Sequence, residues 1–321
     1  MKTCKEMKVR YLKHGEDLDM NPSIATIGFF DGVHLGHQFL LNKLADMAQQ
    51  SDLEATVITF DRHPRQVLQS DYQPKMLSTL DEKLTKLQQT RVDNVVVIHF
   101  DKNFAQLSAR IFMETVLKNQ LNVKKLIMGY DNRFGHNRSE TFEDYVAYGQ
   151  EIGMEVMQSS ALTLGDMNVS SSVVRRLVER GDMEAAQKCL GTPYIIKGKV
   201  VNGFQNGRKL GFPTANIEVD SSEKLLPPTG VYAVKVVLEN DETTYGGMLD
   251  IGTRPTFNGK NQTIEVNIFD FEGDLYGSML SVSFVKRLRD DVKFDSIEAL
   301  IAQLHEDKTQ VISILNAINN N

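Results

Sequence analysis

One stretch constrains this chain above all others: Gly28-Phe29-Phe30-Asp31-Gly32-Val33-His34-Leu35-Gly36-His37. It follows an apolar run, Ile24 to Phe30, that reads as a buried strand. It precedes Phe39-Leu40-Leu41-Asn42-Lys43-Leu44, whose apolar spacing is helical. A strand that breaks at glycines and resumes as a helix leaves backbone N–H groups unpaired in the turn. Together with the helix dipole they form a site for anions such as phosphate. His34 and His37 stand three apart, just before and inside the first helical turn, and can face one phosphate chain. The spacing is neither that of a GxxxxGK[ST] phosphate loop nor that of a GxGxxG dinucleotide turn. A histidine pair at this spacing could also be half of a zinc site, but no nearby cysteine or third histidine completes one.

At 321 residues the chain is long enough for two domains, each burying its own core. A net charge of -6 argues against broad binding to nucleic acid, which needs a basic face. Two cysteines far apart, Cys4 and Cys189, argue against a disulfide framework and fit a reducing cytoplasm. No apolar run approaches the ~20 residues of a membrane span, and Met1 to Arg10 is too charged for a signal peptide. The expectation is a cytoplasmic enzyme acting on small molecules, with no nucleic-acid or membrane partner, as a monomer or weak homo-oligomer.

Up to about residue 190 strand and helix patterns alternate. Glu54–Phe60, Val95–Ile98, Lys125–Met128 and Glu155–Met157 read as strands, and Leu80–Leu87, Ala109–Leu117 and Phe142–Gln150 as helices. Such alternation predicts a parallel sheet with helices on both faces, and ligands at the carboxyl ends of its strands. Three further clusters fall at strand ends: Thr59-Phe60-Asp61-Arg62-His63-Pro64-Arg65, Gly129-Tyr130-Asp131-Asn132-Arg133-Phe134-Gly135 and Val169-Ser170-Ser171-Ser172-Val173-Val174-Arg175. Ser170 suits a helix N-cap, and hydroxyls in that first turn can also bond phosphate. Arg175, a turn further in, can offer a charged fork to pyrophosphate. Taken singly, these are ordinary caps and solvated charges; four anion-compatible clusters at one sheet edge favour a nucleotide site.

Beyond Cys189-Leu190-Gly191-Thr192-Pro193 the pattern changes. Tyr194–Val201, Val231–Leu238, Thr263–Phe271 and Met279–Val285 read as strands, with Asn-Gly turns at 202–203, 206–207 and 258–259. These predict a small antiparallel barrel. A closing helix is expected to open with a capping box of Asp295 and Glu298, and to pack through Ile297, Leu300, Ile301, Leu304, Val311, Ile312 and Leu315. Gly207-Arg208-Lys209-Leu210-Gly211-Phe212-Pro213-Thr214-Ala215-Asn216 is either a conformationally demanding loop or a clasp for phosphate and magnesium, with Thr214 and Asn216 as hard oxygen ligands. Strand alternation puts Glu265, Asn267 and Phe269 on one face. Glu265 there is either a proton acceptor for an attacking hydroxyl or an exposed strand glutamate.

The HxGH loop is similar to that of nucleotidylyl transferases. Together, GFFDGVHLGH, TFDRHPR, GYDNRFG, VSSSVVR, GRKLGFPTAN, PTGVYAVKV, IGTRPTFNG and the Glu265 strand resemble the bacterial bifunctional riboflavin kinase/FMN adenylyltransferase (FAD synthetase) family over almost the whole chain. The resemblance implies an α/β protein: a Rossmann-like nucleotidylyltransferase domain with a parallel sheet at 1–188, and a small antiparallel β-barrel flavokinase domain with a terminal helix at 189–321. It implies two Mg²⁺-dependent reactions with ATP as substrate: riboflavin to FMN in the barrel, and FMN to FAD with release of pyrophosphate in the first domain. Of the residues it assigns, Glu265 is the kinase general base. Gly198, Lys199, Gly207, Arg208, Gly211, Phe212, Pro213, Thr214 and Asn216 hold the kinase ATP, with Thr214 and Asn216 on the metal. For adenylyl transfer, Gly28, Phe30, Asp31, Gly32, His34 and His37 hold ATP, and Ser170, Ser171 and Arg175 the departing pyrophosphate. Asp61, His63, Pro64, Asp131, Arg133 and Phe134 form the flavin side. Arg62, Asn132, Asp250 and Asn267 stand where that family usually has proline, an aromatic residue, asparagine and histidine, and Ser172 replaces threonine.

Overall fold

The computed structural model describes residues 6–319 except 14, 69–73, 137, 166, 204–206, 208–209, 240, 242 and 257–258. Cys4, Arg208 and the turn residues Asn206 and Asn258 lie outside the described residues. The chain divides into two compact units, Met1–Ser171 and Ser172–Asn321.

The first unit runs β1 (Lys8–Leu12), β2 (Ser23–Ile27), α1 (Leu35–Ser51), β3 (Glu54–Phe60), α2 (Pro64–Leu68), α3 (Leu80–Gln88), β4 (Asn94–Ile98), α4 (Ala109–Ile111), β5 (Val123–Met128), α5 (Phe142–Ile152) and β6 (Glu155–Gln158). α4 continues as a π-helix, Phe112–Gln120, and a hairpin of β7 (Thr163–Leu164) and β8 (Met167–Asn168) leads to α6 (Ser171–Glu179). The six-stranded sheet has the order β1-β4-β3-β2-β5-β6 with every pairing parallel. Its four central strands, β4, β3, β2 and β5, are largely buried on both faces, which is why they read as mainly apolar runs. Ile24, Val57, Val95 and Val97 meet Leu41 and Leu44 of α1 and Leu87 of α3. Ala25, Ile27, Ile58, Val96 and Leu126 meet Met113 and Leu117 of the π-helix and Tyr145 of α5.

Two differences from the sequence pattern have local causes. β2 ends at Ile27, short of Phe30, because Phe30 adopts a left-handed conformation with φ 55° and turns the chain out of the sheet. β1 was invisible as a pattern: it pairs only with β4, at the sheet edge, so most of it is not buried. β2 lies between β3 and β5, where the chain order reverses, so the carboxyl end of β2 opens on the switch-point crevice.

The second unit contains α6, α7 (Met183–Leu190), β9 (Tyr194–Val201), β10 (Ala215–Val219), β11 (Gly230–Leu238), β12 (Thr244–Thr256), β13 (Gly259–Ile268), β14 (Met279–Arg289) and α8 (Ile297–Asn319). The strands close into an antiparallel barrel in the order β10-β13-β12-β11-β14-β9, as the turn-rich sequence predicts. Two of its six strands gave no clear pattern. β10 begins inside the Gly-Pro-rich stretch, and β12 carries Gly246, Gly247, Gly252 and Pro255, which dilute strand patterning. The closing helix requires two corrections. Its cap is Ser296, whose Oγ accepts the Ala299 N–H at 3.1 Å, and not Asp295. It packs through Leu304, Val311, Ile314 and Leu315, whereas Ile297 is 61% and Ile312 41% exposed. Ile297 is in the first, overhanging turn, and Ile312 is rotated about 100° from Val311 around the helix.

Candidate active sites

Between β2 and α1 the backbone is bent into a shape that few residues tolerate. Phe30, Gly32 and Val33 all have positive φ, at 55°, 79° and 46°. For Phe30 and Val33 this is costly, on the order of 1–3 kcal/mol each. Both are buried among Leu40, Leu41 and Leu44, so core packing holds the strain. Polar anchors complete the loop. The Asp31 carboxylate accepts the backbone N–H groups of Leu77 and Ser78, both at 3.1 Å. Ser78 Oγ accepts Gly32 N–H at 3.0 Å, and Lys86 Nζ donates to Gly32 O at 3.0 Å. Asp31, placed by the sequence among ATP ligands, thus has its carboxylate engaged in fixing the loop that would hold ATP.

His34 caps α1: its Nδ1 accepts the His37 N–H at 3.3 Å, which leaves the ring proton on Nε2. The two imidazoles stack at 3.6 Å with 20° between planes. Burial, then Lys86, lowers the His34 pKa to about 4, and burial with His34 and Lys83 lowers that of His37. Both rings are therefore neutral at pH 7. His37 Nδ1 is buried with no hydrogen-bond partner among the described residues, an uncompensated polar atom of the kind that marks a ligand site. A histidine whose folded pKa is lowered stabilises the fold above its unfolded pKa of about 6.5. That contribution is lost as pH falls toward 4. We expect the first unit to lose about 3 kcal/mol over this window. Denaturant titration at pH 7 and pH 4.5 checks this, and His34→Asn should flatten the dependence.

The serine-led segment closes on this loop. Ser171 Oγ donates to Asp31 O at 3.1 Å, and a Cβ on Gly36 would stand 2.9 Å from Val169 O and 3.1 Å from the His34 ring. Gly36→Ala should therefore push the two segments apart, destabilising the fold by about 1–3 kcal/mol. It should also impair whatever chemistry needs both; thermal unfolding and a rate measurement on the same protein test this. Arg175, a turn along α6, belongs to the second unit.

The other strand-end clusters gather partly. His63 rests its ring on Phe29 at 4.8 Å and accepts Arg65 N–H on Nδ1, and Pro64 opens α2. Asp61 pairs with His99 at 2.6 Å and accepts Phe100 N–H at 3.0 Å. Asn132 Nδ2 donates to Ile27 O, tying the loop after β5 to the end of β2. Phe134 is packed between Phe112 and Tyr145, and Asp131 and Arg133 are exposed. Sequence reasoning missed α3 altogether as part of this site. Lys83 is 3% exposed, and its Nζ donates to Phe29 O, Thr59 Oγ1 and Phe60 O at 3.0–3.1 Å. The available signal was a lysine in the apolar stripe Leu80, Lys83, Leu84, Leu87.

In the second unit, register brings the other candidates together. Asn216 pairs with Glu265 across β10 and β13, and Asp250 pairs with Glu265 across β12 and β13. Thr214 Oγ1 donates to Glu265 Oε2 at 3.1 Å. Asn267 Nδ2 donates to Pro213 O at 2.7 Å, holding the Leu210–Thr214 turn against the barrel. These residues lie on the outer barrel face, with Phe269 and Phe212 under Val311 and Leu315 of α8, while Ile264, Val266 and Ile268 face inward as alternation predicts. Glycines permit the close packing. A Cβ on Gly207 would be 2.2 Å from Phe212 O, one on Gly198 2.4 Å from Glu218 O, and Gly211 has φ 81°. Lys199, on β9, is exposed. Burial, then Asp291 and Glu265, raises the Asp250 pKa to about 7.

A strained strand-to-helix loop at the switch point of a parallel sheet, in one chain with a barrel that sets a carboxylate beside a hydroxyl, is an arrangement suited to an enzyme of the nucleotide-dependent transferase class. The comparisons narrow this. Residues 16–173 match the FAD synthetase family and residues 190–315 the riboflavin kinase family. Curated relatives called bifunctional riboflavin kinase/FMN adenylyltransferase include those of Haemophilus influenzae (38% identity, 91% of this chain and 94% of the relative) and Bacillus subtilis (36%, 95% and 98%). The relative from Escherichia coli K12 is 37% identical over 89% of this chain and 90% of its own. A solved Streptococcus pneumoniae structure, described as a macrolide-efflux protein, superposes with a TM-score of 0.85 at 32% identity, over 93% of this chain and 97% of its own. Among the described residues of this chain no helix is long and apolar enough to cross a membrane. The chain belongs to the bifunctional riboflavin kinase/FMN adenylyltransferase family.

Proposed function

We propose that this chain makes FAD in two steps at two sites, one in each unit. It is a riboflavin kinase and an FMN adenylyltransferase, with riboflavin, FMN and ATP as substrates. We assign adenylyl transfer to residues 1–188. The FMN phosphate attacks the α-phosphorus of ATP, the bond to the β-phosphate breaks, and pyrophosphate leaves, so no protein nucleophile is required. The protein contributes position and charge stabilisation. In this reading His34 and His37 donate to the triphosphate within the loop from Gly28 to Gly32, and Ser170 and Ser171 receive the pyrophosphate. Asp61, His63, Pro64, Asp131, Arg133 and Phe134 flank the flavin. What carries the assignment is the buried, partnerless Nδ1 of His37 in a strained loop at the switch point.

We assign riboflavin phosphorylation to residues 189–321. The ribityl 5′-hydroxyl attacks the γ-phosphorus of ATP and Glu265 takes its proton. Gly198, Lys199, Gly207, Arg208, Gly211, Phe212 and Pro213 would cradle that ATP. The donor set around Glu265 fits Mg²⁺: the hydroxyl of Thr214 and the amide oxygen of Asn216 are hard ligands, and Mg²⁺ commonly takes few protein ligands and the rest from phosphate and water. Among the described residues no group of three or more His, Cys, Asp or Glu could cage a metal, so the ion would arrive with the nucleotide. When bound it would neutralise charge on the phosphates. The free, buried Cys189 supports a reducing cytoplasm, and two sites within one chain make a monomer sufficient.

A time course with riboflavin, ATP and Mg²⁺, followed by chromatography of the flavins, tests the reading. FMN should rise first and FAD follow with matching pyrophosphate. Absence of either product from folded protein overturns the corresponding site.

A further inference from the structure

We propose that Lys83 is a positioning residue for adenylyl transfer, its buried ammonium setting the spacing of the loops after β2 and β3. This rests on the assignment of that reaction to the first unit. Lys83 lies in the second turn of α3, and its side chain ends beneath the crevice. Its three N–H donors are all engaged, with Phe29 O, Thr59 Oγ1 and Phe60 O at 3.0–3.1 Å. Phe60 is the last residue of β3, and Phe29 is the second residue beyond the end of β2, so both stand where the two central strands give way to their loops. Thr59 Oγ1 itself donates to Phe29 O at 3.1 Å, so the ammonium and the hydroxyl clamp the same carbonyl. The charge stands 4.3 Å from the centre of the Phe29 ring, the ring on which His63 rests. One side chain thus fixes the strand end leading to His34 and His37 and the one leading to Asp61 and His63.

Sequence and energetics agree that this lysine is not incidental. Leu80, Leu84 and Leu87 share its helix face, and two of these three neighbours are buried in the sheet core. A lysine there is costly unless every proton has a partner. The titratable groups around it are Asp31 and Asp61, whose charges favour the ammonium, the neutral His37 on the loop, and Lys86 on α3. Burial outweighs the two carboxylates and brings its pKa to about 8. A neutral amine keeps only two N–H donors and turns a lone pair toward the third oxygen, so deprotonation should loosen the clamp where the nucleotide binds.

The test uses the full-length chain, with riboflavin kinase activity as the internal control. Wild-type kcat for FMN adenylylation should fall on the alkaline side with a midpoint near pH 8, while kinase kcat does not follow it. Lys83→Arg, which stays charged, should abolish that limb. Lys83→Met should lower adenylylation kcat about 100-fold, as misplacement by an ångström does, with a smaller change in the KM for ATP. Three results would each overturn the proposal. One is a wild-type profile flat through pH 9. Another is an alkaline limb unchanged in folded Lys83→Arg. The third is a folded Lys83→Met variant within threefold of wild type. If Lys83→Met does not fold, the wild-type and Lys83→Arg profiles decide. Wild-type protein that makes no FAD at any pH refutes the functional assignment instead.

Discussion

Replacing Glu265 by alanine is expected to stop FMN formation from riboflavin while leaving conversion of supplied FMN to FAD near the wild-type rate. A positioned general base is worth about 10²–10⁴-fold, the role proposed for Glu265. Thr214 Oγ1 donates to its Oε2 at 3.1 Å, and strand register sets Asn216 and Asp250 beside it. The loss should be in catalysis and not in folding, because the side chain lies on the outer face of β13 while Ile264, Val266 and Ile268 fill the barrel. Unchanged thermal unfolding together with lost kinase activity is the expected pair of results. Equal loss of both activities in folded protein would mean that the two reactions do not have separate sites.

The reverse phenotype is expected when His34 is replaced by asparagine and His37 by alanine: FMN accumulates and FAD does not follow. Asparagine preserves a cap acceptor at the start of α1, whose loss alone is worth about 1 kcal/mol. The imidazole N–H donors are what the pair removes. Losing donors aimed at developing phosphate charge costs about 10²–10³-fold, well beyond the effect of a weakened cap. Because the rings stack on each other, their contributions should not add, and each single variant should approach the double. Single variants with near-wild-type rates would show that the loop holds ATP through its backbone alone.

Much of both units was legible in the chain. β3, β4, β5 and β9 stand as uninterrupted apolar or alternating runs because burial on one or both faces leaves little freedom of composition. The strand-to-helix loop at Gly28–His37 could be read because glycines and histidines interrupt an apolar run that resumes with helical spacing. Its positive-φ positions nonetheless include Phe30 and Val33, and its Gly28, Gly32 and Val33 N–H groups are paired within the fold. Elements shaped by their neighbours were not legible. β1 is an edge strand with half its side chains in water, and β12 is written through with glycines. The cap at Ser296 and the outward Ile312 depend on which turns of α8 meet the barrel.

What the sequence by itself determined is the two-part architecture, the strand-to-helix loop with its paired histidines, and the residues from Thr214 to Asn216 and Glu265 as a set. These depend on local composition and short-range spacing, which the chain carries in order. Tertiary structure alone decided which side chains bear on that loop: Asp31 turned back to Leu77 and Ser78, Lys83 spanning two strand ends, His99 set on Asp61, and Asp250 opposite Glu265. Each joins residues 15 to 54 positions apart. Such pairings follow from sheet order and strand register, which short-range patterns do not encode.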